Sequence, residues 1–469
     1  MRKRVILFLT IILFIGSLSS FGKDIDISGR IKLFTSAFVS ENGNGKYFSH
    51  ESGEFALKRL ETRIKFSGSL NDRISYNLRF DAFSNAGTIF SGTNFPESGI
   101  LSTPYSTEYF ELNLYEANII VSDFLIKNLD LTIGKQRISW GTSDKIGVVD
   151  NLNPMDFANF FTFDPDYSFE KRPQTALNFE YYIGDASKMQ FVLLLQHQIA
   201  PLPYGYSFLT KRAMQVENIS IEKNWESRVK YMNFGIRFTT NLFNTDFGVS
   251  FYKGNISLPF LEAYKIYPSK EGDFFYGKES IIGFDFSTVI SGVTLWGEIA
   301  YHIPEDTKAF IQVPVIVNNI PIGITNIDFP LFKKGFFKYV IGGDYTFSGG
   351  FYVNLQYLHG FFDEYDFTKE AEKYFLKRKG EFFGEVSDYF IPDLEYKFHN
   401  DEIKIVFSGI AEFSEESSFV LTPMIEFRVA DGLKLSTGGF FVLSGDEKKT
   451  KFGEFKKDRI VFVSMKIDF

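Results

Sequence analysis

The chain has 469 residues, with 50 Lys and Arg against 58 Asp and Glu, and no cysteine. The missing thiols exclude disulfides, zinc–thiolate sites, iron–sulfur clusters and a lipid-modified cysteine, and the acidic balance argues against a nucleic-acid partner. An aromatic share of 18%, with 57 Phe and 24 Tyr, exceeds what an ordinary soluble core needs and suits strands and a membrane boundary.

Residues 1–22 read as a secretory signal peptide. Arg2, Lys3 and Arg4 form a basic start, Val5 to Gly16 is almost unbroken apolar sequence, and Ser20-Phe21-Gly22 offers a cleavage site. No later stretch reaches the length of a transmembrane helix. Without the signal, 47 basic residues stand against 58 acidic ones, a formal charge of −11. Residues 23–469 show no linker, composition shift or low-complexity tract, so they are expected to form a single domain.

From Asp24 onward the dominant pattern is period two. Ile74, Tyr76, Leu78 and Phe80 alternate with Arg73, Ser75, Asn77 and Arg79. Near the other end, Phe419, Leu421, Ile425 and Phe427 alternate with Thr422, Met424, Glu426 and Arg428. Tight-turn sequences recur at Leu70-Asn71-Asp72, Gly184-Asp185-Ala186-Ser187, Ile290-Ser291-Gly292, Ser348-Gly349-Gly350, His399-Asn400-Asp401 and Ala430-Asp431-Gly432. Between them lie long polar connections at 41–56, 85–108, 139–173, 200–229, 254–278, 304–335, 363–386 and 444–457, with one short link at 414–417 in a long-link place. A sandwich has no reason to sort its connections in this way. A transmembrane barrel does, with short turns on the periplasmic side and long loops outside.

The expected fold is therefore all-β, an antiparallel outer-membrane barrel of about eighteen strands (roughly 16–18), with both termini periplasmic. Strand 4, Tyr109 to Val121, changes phase between Leu114 and Ala117, which predicts a bulge. The last strand alternates to a terminal aromatic residue, Phe469. It resembles the assembly signal of bacterial outer-membrane barrels, which implies the barrel-assembly machinery and outer-membrane lipids as partners. A barrel of this size keeps an aqueous interior. On the polar face of strands 1 to 3, Arg30, Lys32, Arg59, Arg63, Lys65, Arg73 and Arg79 stand against Asp26, Glu61 and Asp81, and Lys466 joins them when the barrel closes. Such a basic wall can guide anions, because low-dielectric walls focus a field.

Residues 134–157 read GKQRISWGTSDKIGVVDNLNPMDF. Here a strand gives way to the third long loop, Ser139 to Pro173, which carries Asp144, Asp150, Asp156, Asp164, Asp166 and Glu170. Asn153, Pro154 and Asp156 predict a helix start, with Asn153 as cap. Trp140 and Gly141 are expected at the bend, and a loop of this length with an ordered piece is usually functional. The residues Gly134, Lys135, Gln136, Trp140, Gly141, Asp150, Asn153, Pro154, Asp156 and Phe157 resemble a segment of porin-like outer-membrane barrels of the alginate-export and phosphate-selective type. Met155 stands where that pattern has a basic residue. The resemblance implies that the loop folds into the lumen and constricts it. Asp144, Asp150, Asp156, Asp164 and Asp166 are then expected to face Arg59, Arg63, Arg73 and Arg79 across the passage.

Other chemistry has weaker signals. His50, His197, His302, His359 and His399 show no zinc-ligand spacing, and a membrane-embedded lipase would need a serine beside His359 or His197. The Asp164-Pro165-Asp166 carboxylates suit Ca²⁺ by chemistry but not by EF-hand spacing. The expectation is a porin without cofactor or metal, passing small hydrophilic solutes, anions among them, by passive diffusion. It is not expected to be an enzyme. A structural or adhesive barrel is the alternative, and a homo-oligomer is left open.

Overall fold

The computed structural model describes residues 24–43, 49–90, 105–107, 110–160, 162–196, 198–201, 218–221, 232–266, 270–318, 320–375, 384–413, 416–445 and 449–469. The proposed signal peptide and His197 lie outside them.

Eighteen antiparallel strands form the barrel. They are β1 (Asp24–Phe38), β2 (Phe55–Asn71), β3 (Ile74–Ala86), β4 (Phe110–Val121), β5 (Leu129–Gln136) and β6 (Gln174–Ile183). There follow β7 (Ser187–Leu194), β8 (Asn233–Leu242), β9 (Thr245–Asn255), β10 (Lys278–Ile290), β11 (Val293–Pro304) and β12 (Phe336–Thr346). The last six are β13 (Phe351–His359), β14 (Asp388–Phe398), β15 (Ile403–Phe413), β16 (Ser417–Ala430), β17 (Leu433–Ser444) and β18 (Ile460–Asp468). Each pairs with its neighbour in sequence, and β1 pairs with β18 from Arg30↔Asp468 to Phe38↔Ile460, which closes the sheet and removes its edges.

Alternation decides which face is which. Ile27, Ile31, Leu33, Ile119, Ile133, Val249, Ile282, Ile341, Phe407 and Val463 are all exposed on the outer face. An exposed apolar belt of this kind belongs in hydrocarbon. Arg30, Lys32, Arg63, Arg79, Glu298 and Gln356 point the other way. Tight turns make the short links. Phe243-Asn244 and Ser291-Gly292 each place two residues at positive φ, as hairpins matching strand twist require. The long links all emerge at the opposite end. The predicted phase change in β4 is a bulge: the register with β3 jumps from Arg79↔Glu116 to Phe80↔Leu114 and leaves Tyr115 unopposed.

One structure was not foreseen. The long links between β7 and β12 carry a second, five-stranded sheet built from 218–221, 260–265, 271–275, 308–317 and 320–330. Its longest hairpin, Lys308–Val317 with Ile320–Pro330, holds a run of β-branched residues that the polar flanks conceal.

Candidate functional site

Residues 137–173 connect β5 to β6 and make hydrogen bonds and ion pairs to both sides of the barrel. The segment begins where Gly134, at φ 125°, lets β5 approach the Ala117 carbonyl too closely for any side chain. Lys135 then donates to the Leu114 carbonyl (3.0 Å), and Gln136 Nε2 to that of Ala176 (3.3 Å). Trp140 is buried. Its Nε1 donates to Gln190 of β7 at 2.8 Å, and its ring packs on Gly235 of β8, where a Cβ would collide with it.

Next comes the firmest attachment. Glu298 of β11 accepts four backbone N–H groups, those of Thr142 and Ser143 on Oε1 (2.7 and 2.8 Å) and of Val148 and Val149 on Oε2 (2.8 and 3.0 Å). Gly141, at φ 90°, and Gly147 make room for that carboxylate, because a Cβ at either would meet it. Charge-assisted bonds from several amides are strong contacts for a buried carboxylate. Further along the same wall, Gln356 donates to the Ile146 carbonyl at 3.0 Å, Asn354 to Asp144 at 3.1 Å, and Lys145 to Asp393.

The segment then returns toward β5 and is tied to itself. Asn153 accepts from the Ile138 amide (3.0 Å) and donates to the Arg172 carbonyl (2.7 Å), joining the two ends. This occupies the side chain expected to cap a helix. The four-residue helix Phe157–Phe160 is capped by Asp156 instead, which accepts from the Asn159 amide at 2.9 Å. Asp156 also takes Arg172 at 2.6 Å, and Asp150 takes Arg137 at 2.6 Å and Lys171 at 3.2 Å. Burial pushes the Asp150 carboxyl up, but Lys171 and Arg137 outweigh it and hold it below the ordinary range.

The far end meets the basic wall. Lys32 of β1 lies between Asp164 (2.6 Å) and Asp166 (2.8 Å), with Lys466 of β18 3.5 Å and Arg30 3.7 Å from Asp166. Desolvation raises the Asp166 carboxyl, but Lys32, Lys466 and Arg30 outweigh it and hold the group well below the usual carboxylate range. Arg59 of β2 donates to Asn159 at 3.1 Å. Arg63 of β2 and Arg79 of β3 share Asp81 at 3.0 and 2.6 Å, and both approach Glu170, at 3.9 and 3.3 Å. Arg79 also stacks on the ring of Tyr115, the bulged residue of β4, at 3.7 Å.

The expected arrangement of opposed signs across open space is therefore corrected in part. Asp150 and Asp156 are satisfied within the segment, and Asp164 and Asp166 touch Lys32 directly. A buried carboxylate without a close cation is costly, so each has taken the nearest one. Lys32, Arg59, Asp150, Asp156 and Asp164 are buried. Lys65 and Arg73 stay exposed and make no ion pair among the described residues. Asp144 is exposed too. The ammonium of Lys32 occupies the place where Asp164 and Asp166 would receive a cation.

Among the described residues, two of the spaces beside the segment are large enough to hold a solute. One, of about 360 Å³, is polar and lined by Lys65, Arg79, Arg137, Glu116, Asn77 and Asn118. The other, of about 560 Å³, lies against β14 to β18 under Phe160, Phe163 and Phe169. Glu298, Arg137, Lys171, Arg172 and Glu170 were not foreseen as site residues. Only Glu298 left a signal: a lone carboxylate on the polar face of a largely apolar strand.

Residues 105–397 match a family model described as "Protein of unknown function (DUF1302)". The chain belongs to the DUF1302 family. Among solved structures, this DUF1302 chain is similar to OccK9 (OpdG) of Pseudomonas aeruginosa, with 7% identity over 96% of this chain and 98% of that one at a TM-score of 0.50. Similar too are OccAB1 of Acinetobacter baumannii (8% identity, 96% and 97% coverage, TM-score 0.49) and the outer membrane channel DcaP of the same organism (9%, 96% and 98%, 0.43). A search of curated protein sequences found no relative. At such identities the likeness to OccK9 is one of fold, that of a porin-like barrel.

Proposed function

We propose that this DUF1302 chain is a bacterial outer-membrane channel that passes small hydrophilic solutes by diffusion, with residues 137–173 lying inside the barrel and setting its narrowest point. The termini and short turns face the periplasm and the long links face outward. The observation that carries this reading is the attachment of one segment to opposite walls. Glu298, Asn354 and Gln356 hold it on one side, and Lys32, Arg59, Arg63 and Arg79 on the other. A chain bonded to both sides of a barrel has to cross the space between them.

In the remaining polar space Arg79 and Arg137 are matched by Asp81 and Asp150, and exposed Lys65 is the cation left to draw anions into a low-dielectric cleft. Deleting Asp150 to Asp164 tests the assignment in planar bilayers. Single-channel conductance is expected to rise severalfold, in a protein whose heat-modifiable gel migration shows an intact barrel. Unchanged conductance would place the constriction elsewhere.

A further inference from the structure

The second space differs from the first in chemistry. On strands β14 to β18 apolar residues face it beside Ser408, Thr422 and a few charged groups, where the inner face of β1 to β3 carries mainly arginine and lysine. Val406, Ile410, Val420, Met424 and Phe440 form the wall, and Phe163 of the segment closes it at 4.0 Å between ring centroids with Phe440. A general diffusion pathway has no need of an oily interior wall. Apolar surface turned toward water-filled space costs free energy unless something covers it, and a few hundred cubic ångströms of apolar lining with convergent polar groups is the usual form of a ligand site.

The charged rim says what covers it. Asp144, Asp393, Glu395, Lys145 and Lys404 stand at its edge. Lys145 is bonded to Asp393, and Lys404 lies 3.6 Å from Glu395, so both lysines are matched. Asp144 is exposed and, like neighbouring Asp344 of β12, makes no ion pair among the described residues. The rim is left with a net negative charge. Burial raises the Asp144 carboxyl above its ordinary value; Lys145 pulls it down, and the carboxylates of Asp393, Asp344 and Glu395 push it up again.

We propose that this space is a subsite for cationic amphiphiles, solutes whose aromatic or alkyl body lies along β14 to β17 while an ammonium group sits against Asp144. The proposal rests on the channel reading above and adds a solute class that the basic wall would not select. Aromatic rings provide both apolar area and faces that attract a cation.

Current block in planar bilayers tests it with three probes: phenylpropyltrimethylammonium, tetramethylammonium and 3-phenylpropanoate. The first is expected to block at a concentration about ten-fold below the second, since burial of the phenylpropyl body is worth at least that ratio, and 3-phenylpropanoate only weakly. Met424→Ser and Asp144→Asn should each weaken the block by about ten-fold while the channel still conducts. Met424 is only half-buried, so its replacement leaves the barrel intact. Equal block by both cations, stronger block by the anion, or indifference to both substitutions would overturn the subsite and leave the channel standing. A folded protein that carries no current would overturn both.

Discussion

A carboxylate that accepts four peptide N–H groups holds a length of chain rather than a side chain. Glu298 does this for residues 142–149. Each bond to a charged acceptor is worth roughly 1.5–3 kcal/mol, and an orphaned buried donor costs a similar amount. Glu298→Gln retains one acceptor oxygen and is expected to loosen the segment without unfolding the barrel, because local opening can be much cheaper than global unfolding. Open-channel recordings should show increased current noise and brief excursions to higher conductance. A quiet trace at the normal level would show that other contacts suffice.

Glu170 belongs to the same scale. It is raised above the ordinary carboxylate range, first by burial and then by Asp156, although Arg79, Arg172 and Arg63 pull the other way. A raised folded value means that the fold binds a proton more readily than the unfolded chain, so protonation stabilises it as pH falls through that window and the gain is lost as pH rises. Protonation also leaves Arg63 and Arg79 less neutralised. Loss of one charge ~8 Å from the permeant ion changes its energy by about 0.5 kcal/mol, roughly two-fold in permeability ratio. Anion preference, read from reversal potentials, is therefore expected to grow as pH falls from neutrality, beginning above the ordinary carboxylate range. Glu170→Gln should fix the higher value at all pH. A flat profile in the unmodified protein would exclude Glu170 as the titrating group.

At the scale of elements, what was legible followed from period and punctuation. Alternation and turn residues located the strands and sorted the links, and a change of phase in β4 gave the one-residue bulge at Tyr115. Loop sequence is harder to read, because its partners are remote. Asn153 has the sequence of a helix cap, yet its amide joins Ile138 to Arg172, and no local rule reveals that bond. The hairpin Lys308–Pro330 was concealed by its polar surroundings. The apolar wall of β14 to β17 escaped notice for a related reason. A strand with apolar residues on both faces reads simply as a more hydrophobic strand. The motif residues themselves, from Gly134 to Phe157, proved to be contacts that shape the segment.

For the molecule as a whole, closure of β1 on β18 is the step that removes the barrel's last open edge. Phe469 extends β18 by two backbone bonds to Gly29, at 2.7 and 3.0 Å, and its ring lies over that glycine. Deleting Phe469 is expected to lower the amount of heat-modifiable, membrane-inserted protein several-fold while the chain is still exported. Normal insertion of the shortened chain would remove Phe469 from assembly. Glu298 grips peptide groups, which every residue but proline presents alike. The tether is blind to the side chains it holds. Provided that Gly141, Gly147 and the buried Ile146 stay, the side chains at 144 and 145 can be exchanged while the backbone keeps its course, so one barrel can be given new solute preferences by rewriting two residues.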